Sequence, residues 1–119
     1  MKVIKINERL SSTSEFMGDR YLEVDGKITP NWATFFERSR NGTFHNMKRS
    51  VRVEGNYIVV NCPLAELQSQ INEINGNCSQ ADRDLGVWEA QQLALKQQEQ
   101  QVAEESAKKA NVVFKNLKF

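Results

Sequence analysis

The segment "DGKITPNWATFFERSRNG" (residues 25–42) holds the signals of one complete short helix. It opens on an Asp-Gly turn dipeptide, after which Thr29 can cap a helix that has Pro30 at its first position. A proline is tolerated there because the first N–H groups of a helix have no partner within it. An Asn-Gly pair at the end of the segment supplies the stop. These signals predict a helix over about residues 30–40.

Three large aromatic residues lie on one face of this predicted helix, at positions i, i+3 and i+4: Trp32, Phe35 and Phe36. Such spacing is what a core-facing helix needs, and we expect Phe35 and Phe36 in the core, with Trp32 keeping one wet edge. The other interpretation is a stacking platform for single-stranded nucleic acid, since basic residues lie close by. We therefore predict that the aromatic face belongs to the core, and we keep the nucleic-acid platform as the second interpretation.

Extended segments flank this helix on both sides. Residues 2–6 and 20–26 alternate apolar and polar positions, which indicates two short strands joined by a loop over 7–19. Residues 51–62 form two alternating runs around a Gly-Asn pair, the pattern of a β-hairpin. The N-terminal part is therefore predicted to be a small sheet with one packed helix.

Two helices are predicted after the hairpin. Asn61 can cap the first of them, and Pro63 suits its first turn. Gly76 is expected to end it. The apolar residues of this first helix follow a 3–4–3 spacing and form a narrow stripe: Leu64, Leu67, Ile71 and Ile74.

The second of these helices is predicted over about residues 80–110, roughly 45 Å long at 1.5 Å per residue. Ser79 and Asp82 resemble a capping box at its start. Gly86 weakens its first turns by about 1 kcal/mol relative to alanine. The tail, residues 111–119, returns to apolar alternation, which indicates a strand or a segment that docks on a neighbour.

The long helix has an incomplete apolar stripe, because polar residues such as Gln92 and Glu99 occupy positions of its 3–4 register. A helix of this kind is marginal alone, so we predict association between helices of different subunits. The alternative is a break at Gly86 or near Glu104 and an ordinary helical hairpin. The residues predicted to carry the subunit contacts are Leu85, Trp88, Leu95, Val102, Val113 and Phe114.

Length and composition suit one polar domain: 119 residues, 39% of them hydrophobic, with a net charge of +1. Two cysteines, Cys62 and Cys78, could be reduced thiols or could form one disulfide. The opening stretch "MKVIKINERL" has neither a signal-peptide core nor a membrane span. We therefore expect a soluble intracellular protein that makes no membrane contact.

Signals for catalysis are weak. His45 is the only histidine, and no Cys-x-x-Cys, Gly-x-Ser-x-Gly or His-Glu-x-x-His motif occurs. A Cys–His nucleophile pair is formally available, but any chain with both residue types offers one. The prediction is a protein without enzyme activity, cofactor or metal.

Basic residues cluster around the end of the aromatic helix. Together they would contact phosphates or the surface of an acidic protein. The pI of about 7.8 is well below that expected of a nucleic-acid-binding domain. Binding of nucleic acid or an acidic protein through this basic region is therefore the alternative function. The residues of this basic region are Arg38, Arg40, Lys48, Arg49 and Arg52.

The stretch "EVDGKITPNWATFFERSRNGTF" resembles a segment that recurs in small tail- and virion-associated proteins of bacteriophages. There, "DGK-TP-W--FF" precedes a short helix, a loop and a β stretch. The resemblance covers about residues 22–62, and the Gln-rich C-terminal helix lies outside it and could equally belong to a phage product that binds a host protein. The matching positions are Asp25, Gly26, Thr29, Pro30, Trp32, Phe35 and Phe36.

This resemblance implies a non-enzymatic structural or assembly protein that contacts itself and other phage structural proteins. Its implied location is the host cytoplasm during assembly and the virion afterwards.

The combined prediction is an α+β fold. Residues 1–77 form a small sheet with a hairpin, a packed short helix and the first C-terminal helix, and residues 78–119 form the long helix and tail, an oligomerisation or docking segment.

Overall fold

A computed structural model of the chain describes residues 1–42 and 49–118. Within these residues the fold is α+β, as predicted, with four strands and two α-helices. The elements in chain order are β1 (Val3–Ile6), β2 (Gly18–Val24), α1 (Pro30–Gly42), β3 (Val51–Glu54), β4 (Tyr57–Cys62), a 3-10 turn (Leu64–Glu66) and α2 (Leu67–Lys115).

The four strands form one antiparallel sheet in the order β1-β2-β4-β3. The central pair runs from Gly18 opposite Cys62 to Glu23 opposite Tyr57. Strand β2 therefore begins at Gly18, inside the segment predicted to be a loop, because its partner β4 extends far enough to pair with it. A register shift between Val3 and Lys5 interrupts the outer pair of β1 and β2.

The predicted hairpin is confirmed. Gly55 has a φ of +59°, in the left-handed region that glycine adopts without steric cost, and it allows the tight turn between β3 and β4. The next residue, Asn56, accepts a hydrogen bond from the N–H of Ile28 at 2.7 Å and donates one to the carbonyl of Gly26 at 3.0 Å. The hairpin turn is thus tied to the segment that leads into α1.

Both helices pack on one face of the sheet. Leu22 and Val24 of β2 and Ile58 and Val60 of β4 alternate onto that face. The buried helix residues in the same cluster are Trp32 and Phe36 from α1 and Ile74, Cys78 and Ala81 from α2. The core is therefore built from residues far apart in the chain.

The prediction of two C-terminal helices is wrong, because α2 runs unbroken from Leu67 to Lys115. Gly76, expected to end the first helix, lies inside it, and the buried residues Cys78 and Ala81 follow directly. A glycine costs a helix about 1 kcal/mol, whereas each buried CH₂ group contributes about 0.8 kcal/mol, and Cys78, Ala81 and the partly buried Leu85 remove several such groups from water. Core packing on both sides of the glycine thus outweighs the local stop signal.

Two smaller predictions at the ends of this helix are also wrong. Asn61 does not cap it, since it lies in β4 and donates to Asp19, and the 3-10 turn begins after Pro63 without a side-chain cap. Of the two alternatives for the tail, the strand is wrong, because residues 111–115 continue the helix, and the docking segment stays a prediction.

The chain divides into two compact units, Met1–Leu85 and Gly86–Phe119. The first holds the sheet, α1 and the part of α2 that packs on them. The second is the C-terminal part of α2 with a short tail. The sequence predicted that the globular part ends at residue 77. The first unit instead extends along α2 to Leu85.

Replacing Gly76 with alanine is expected to raise the free energy of unfolding by about 0.5–1 kcal/mol. A Cβ atom built at this exposed helical position meets no atom within 4 Å, so the gain in helix propensity is not offset by a clash. Urea unfolding followed by circular dichroism measures the change. Gly55→Ala is the matched control and should destabilise, because its φ is positive. A less stable Gly76→Ala protein would contradict the account of α2.

Candidate functional site

Phe36 lies in the core, as predicted, and the expectation that Trp32 keeps a wet edge is wrong, because Trp32 is buried between α1 and the rest of the core. Trp32 is 2% exposed and Phe36 1%, and their rings stack with centroids 5.2 Å apart and planes inclined by 13°. Phe35 is half-buried and carries the Arg38 guanidinium 5.2 Å from its ring centroid. Trp32 and Phe36 are therefore not available as a stacking platform.

The indole N–H of Trp32 reaches a carboxylate on α2. Its Nε1 donates to Asp82 at 2.7 Å, and the N-terminal ammonium of Met1 pairs with the other oxygen of that carboxylate. The hydrogen bond to Asp82 raises the pKa of the ammonium group above its usual value. Asp82, on α2, thus connects this helix to α1 and to the residue that begins the chain. The sequence had assigned Asp82 to a capping box with Ser79 and did not predict these contacts.

Arg40 of the basic region lies inside the first unit. Its guanidinium donates to Glu73 at 3.1 Å, to Asn77 at 3.3 Å and to the backbone carbonyl of Arg49 at 3.1 Å. A buried arginine held by a carboxylate, an amide and a carbonyl links α1 to α2. This side chain is a structural cross-link between the two helices.

Arg49 is paired on the side of the 3-10 turn. Its Nε and Nη2 donate to the two oxygens of Glu66 at 2.8 and 2.9 Å, a bidentate arrangement. These hydrogen bonds hold the pKa of the Glu66 carboxyl below its usual range. The positive charge of Arg49 is therefore matched within the chain.

Arg52, on the edge strand β3, is matched in the same way. It donates to Asp19 at 3.2 Å and to Glu54 at 3.1 Å. The pKa of Asp19 is lowered, first by its hydrogen bond from Asn61 and then by Arg52. Lys48 and His45 lie outside the described residues. Arg38, the remaining member of the basic region, is exposed and lies over the ring of Phe35. Arg40 and Arg49 both line an open recess of about 350 Å³, but their charges are already paired with Glu73 and Glu66.

Arg20, which the sequence did not single out, is completely buried in β2. Its guanidinium donates to the backbone carbonyls of Ser12, Ser14, Phe16 and Cys62, the last three at 2.6, 3.0 and 3.2 Å. Residue 20 lies on the same face of β2 as the inward-facing residues 22 and 24, and this period-2 pattern was the signal that could have predicted its burial. Arg20 organises the loop between β1 and β2.

The two cysteines are free and buried, which decides between the thiol and disulfide alternatives. Burial raises the pKa of Cys78 to about 12 and raises that of Cys62 as well, so both remain protonated thiols at neutral pH. Among the described residues, no group of three His, Cys, Asp or Glu side chains is arranged to hold a metal ion. No helix in the described part of the chain is both long and apolar enough to cross a membrane.

The second unit carries large apolar side chains on a helix that is otherwise polar. Leu95 is 52% exposed, Val102 59% and Val113 57%. The gaps of seven and eleven residues between them are close to two and three helical turns, so these three residues share one face. We call Leu95, Val102 and Val113 the apolar line. An open recess of about 350 Å³ beside it is lined by Leu95, Gln98, Glu99, Val102 and Ala103.

The other predicted contact residues lie at different places. Leu85 is half-buried and packs against the core of the first unit. Trp88 is partly exposed and lies seven residues before Leu95, on the face of the apolar line. Phe114 is exposed but lies about 100° around the helix from Val113. The structure thus brings the members of the predicted set onto one face only in part.

Comparison of the chain with protein-family profiles, with curated proteins and with solved structures gave no match.

Proposed function

We propose that this protein is a non-enzymatic structural or assembly component that acts through protein–protein contact, and that its contact surface is the apolar line of the second unit. The observation that carries the proposal is the exposure of three large aliphatic side chains on one face of a polar helix. Single exposed apolar residues are common, whereas a line of them at whole-turn spacing is typical of a helix that packs on a partner.

Energetics favour a partner for this segment. Most of the stability of a helix in a protein comes from packing an apolar face, and this segment has no such packing on the apolar line. Burying Leu95, Val102 and Val113 on another surface would contribute about 1.5–3 kcal/mol for each side chain. Polar Gln92, before the apolar line, and Glu99, within it, would restrict the register of the contact.

A second copy of the chain is the first partner that we propose. Two identical helices can offer the same narrow line to each other in a two-fold symmetric contact. Other structural proteins of the same assembly are further proposed partners. The resemblance of residues 22–62 to small phage tail- and virion-associated proteins supports a bacteriophage assembly role, exercised in the host cytoplasm and then in the virion.

Hydrogen exchange at low and high protein concentration tests the role of the apolar line. Amides of residues 90–113 are expected to become more protected as concentration rises, while those of the buried part of α2 stay unchanged. Leu95→Asp should abolish the increase, because it places a charge on the contact face. Gln97→Asp adds the same charge about 160° around the helix and should retain the increase. Concentration-independent exchange in the unaltered protein would contradict the proposal.

A further inference from the structure

The charges of the second unit are separated along its length. Residues 86–105 hold four glutamates against one lysine, a net charge of −3. Residues 106–118 hold four lysines and no acidic residue, a net charge of +4. The lysine of the last helical turn suits the negative end of the helix dipole, but Lys108 and Lys109 lie before that turn. The dipole alone therefore does not account for the basic half.

Two of these charges lie close to the apolar line. Glu99 is one turn from Leu95 and within about 40° of its direction, and Lys109 is one turn before Val113 and similarly close. Both residues are exposed on α2. Any helix that covers the apolar line must therefore also face Glu99 near its middle and Lys109 near its end.

We propose that two copies of this chain pair through the apolar line with their α2 helices antiparallel. This inference rests on the proposed function and adds the orientation of the partner. In an antiparallel pair the acidic half of each helix faces the basic half of the other, so −3 is set against the +3 of the lysines within α2, twice. In a parallel pair Glu99 would face Glu99 and Lys109 would face Lys109 at the contact, and like charges at such positions oppose association.

Spin labels on single introduced cysteines measure the orientation directly in the full-length protein. The native thiols Cys62 and Cys78 are fully buried, so a label reacts at the introduced site. Gln101→Cys lies about midway along residues 86–115, and Gln91→Cys lies ten residues before it. Both positions are exposed, and neither belongs to the apolar line.

The antiparallel pair predicts a short distance between the two Gln101→Cys labels and a much longer one between the two Gln91→Cys labels, whose offset along the helix axis is larger by about 30 Å, from twice ten residues at 1.5 Å each. Short distances at both positions would show a parallel pair, which overturns the orientation and leaves the proposed contact surface standing. No intermolecular distance at either position, together with an unaltered protein that keeps the monomer mass at the highest concentration reached, would overturn both proposals.

Salt provides an independent readout of the same inference. Attraction between the acidic and basic halves is screened as ionic strength rises, since the Debye length falls from about 10 Å at 0.1 M to about 3 Å at 1 M. The dissociation constant of the antiparallel pair is therefore expected to increase with salt. A dissociation constant that decreases with salt is the result for a pair that sets like charges together, and it would overturn the orientation.

Discussion

Phe36→Ala is expected to lower the free energy of unfolding by about 3–5 kcal/mol. Phe36 is 1% exposed, stacks on Trp32 and belongs to the cluster that joins both helices to the sheet. Its removal costs the transfer free energy of the ring and leaves a cavity among residues that cannot all collapse into it. A loss of this size is a large part of the 5–15 kcal/mol typical of a whole domain.

Urea unfolding of the variant, followed by circular dichroism, measures this loss. Phe35→Ala is the matched control, one residue away on the same helix, half-buried and covered by Arg38 on one ring face. It should cost clearly less, because much of its ring stays near water. Equal losses for the two variants would contradict the assignment of Phe36 to the core.

Arg20→Met is expected to lower the free energy of unfolding by about 2–4 kcal/mol and to release the loop between β1 and β2. Methionine fills much of the space but donates nothing to the four backbone carbonyls that Arg20 satisfies. Arg20→Lys keeps the charge but cannot present the planar set of donors, so an intermediate loss is expected.

Limited proteolysis together with urea unfolding tests this account of Arg20. Cleavage within residues 8–17 should accelerate strongly in Arg20→Met and less in Arg20→Lys. Replacing a buried charge with an apolar residue is sometimes neutral. An Arg20→Met protein as stable as the original, with the loop still protected, would therefore show that Arg20 is not what orders this loop.

Helix α1 and the hairpin were predictable because their signals are local. The hydroxyl of Thr29 accepts the N–H of Trp32 at 3.2 Å, as the capping pattern requires. Gly55 takes the positive φ that its position in the turn demands. Each of these interactions involves residues within a few positions of one another, so a short window of sequence contains the whole cause.

The course of α2 could not be predicted in the same way. Gly76 is a valid local stop signal, but residues beyond it are buried against strands and a helix from the other end of the sequence. Long-range burial decided the outcome, and a local pattern contains no information about it. Asn61 was misassigned for the same reason, since its side chain bonds to Asp19 on a neighbouring strand.

The basic region shows the same limit for a candidate site. Its charges are adjacent in sequence, yet Arg40, Arg49 and Arg52 each pair with a different acidic residue that the sequence could not assign to them. Arg20 and Asp82 gained their roles through contacts of the same long-range kind. The exposed positions of the long helix were easier to predict, because an incomplete apolar stripe on a polar helix is visible in the sequence itself.

The native mass of the full-length protein, followed by light scattering across a dilution series, tests the central claim most directly. We expect the mass to rise with concentration from 13.7 kDa toward twice that value, and Leu95→Asp to hold it at the lower limit. A mass that stays at 13.7 kDa at the highest concentration would contradict self-association through the apolar line.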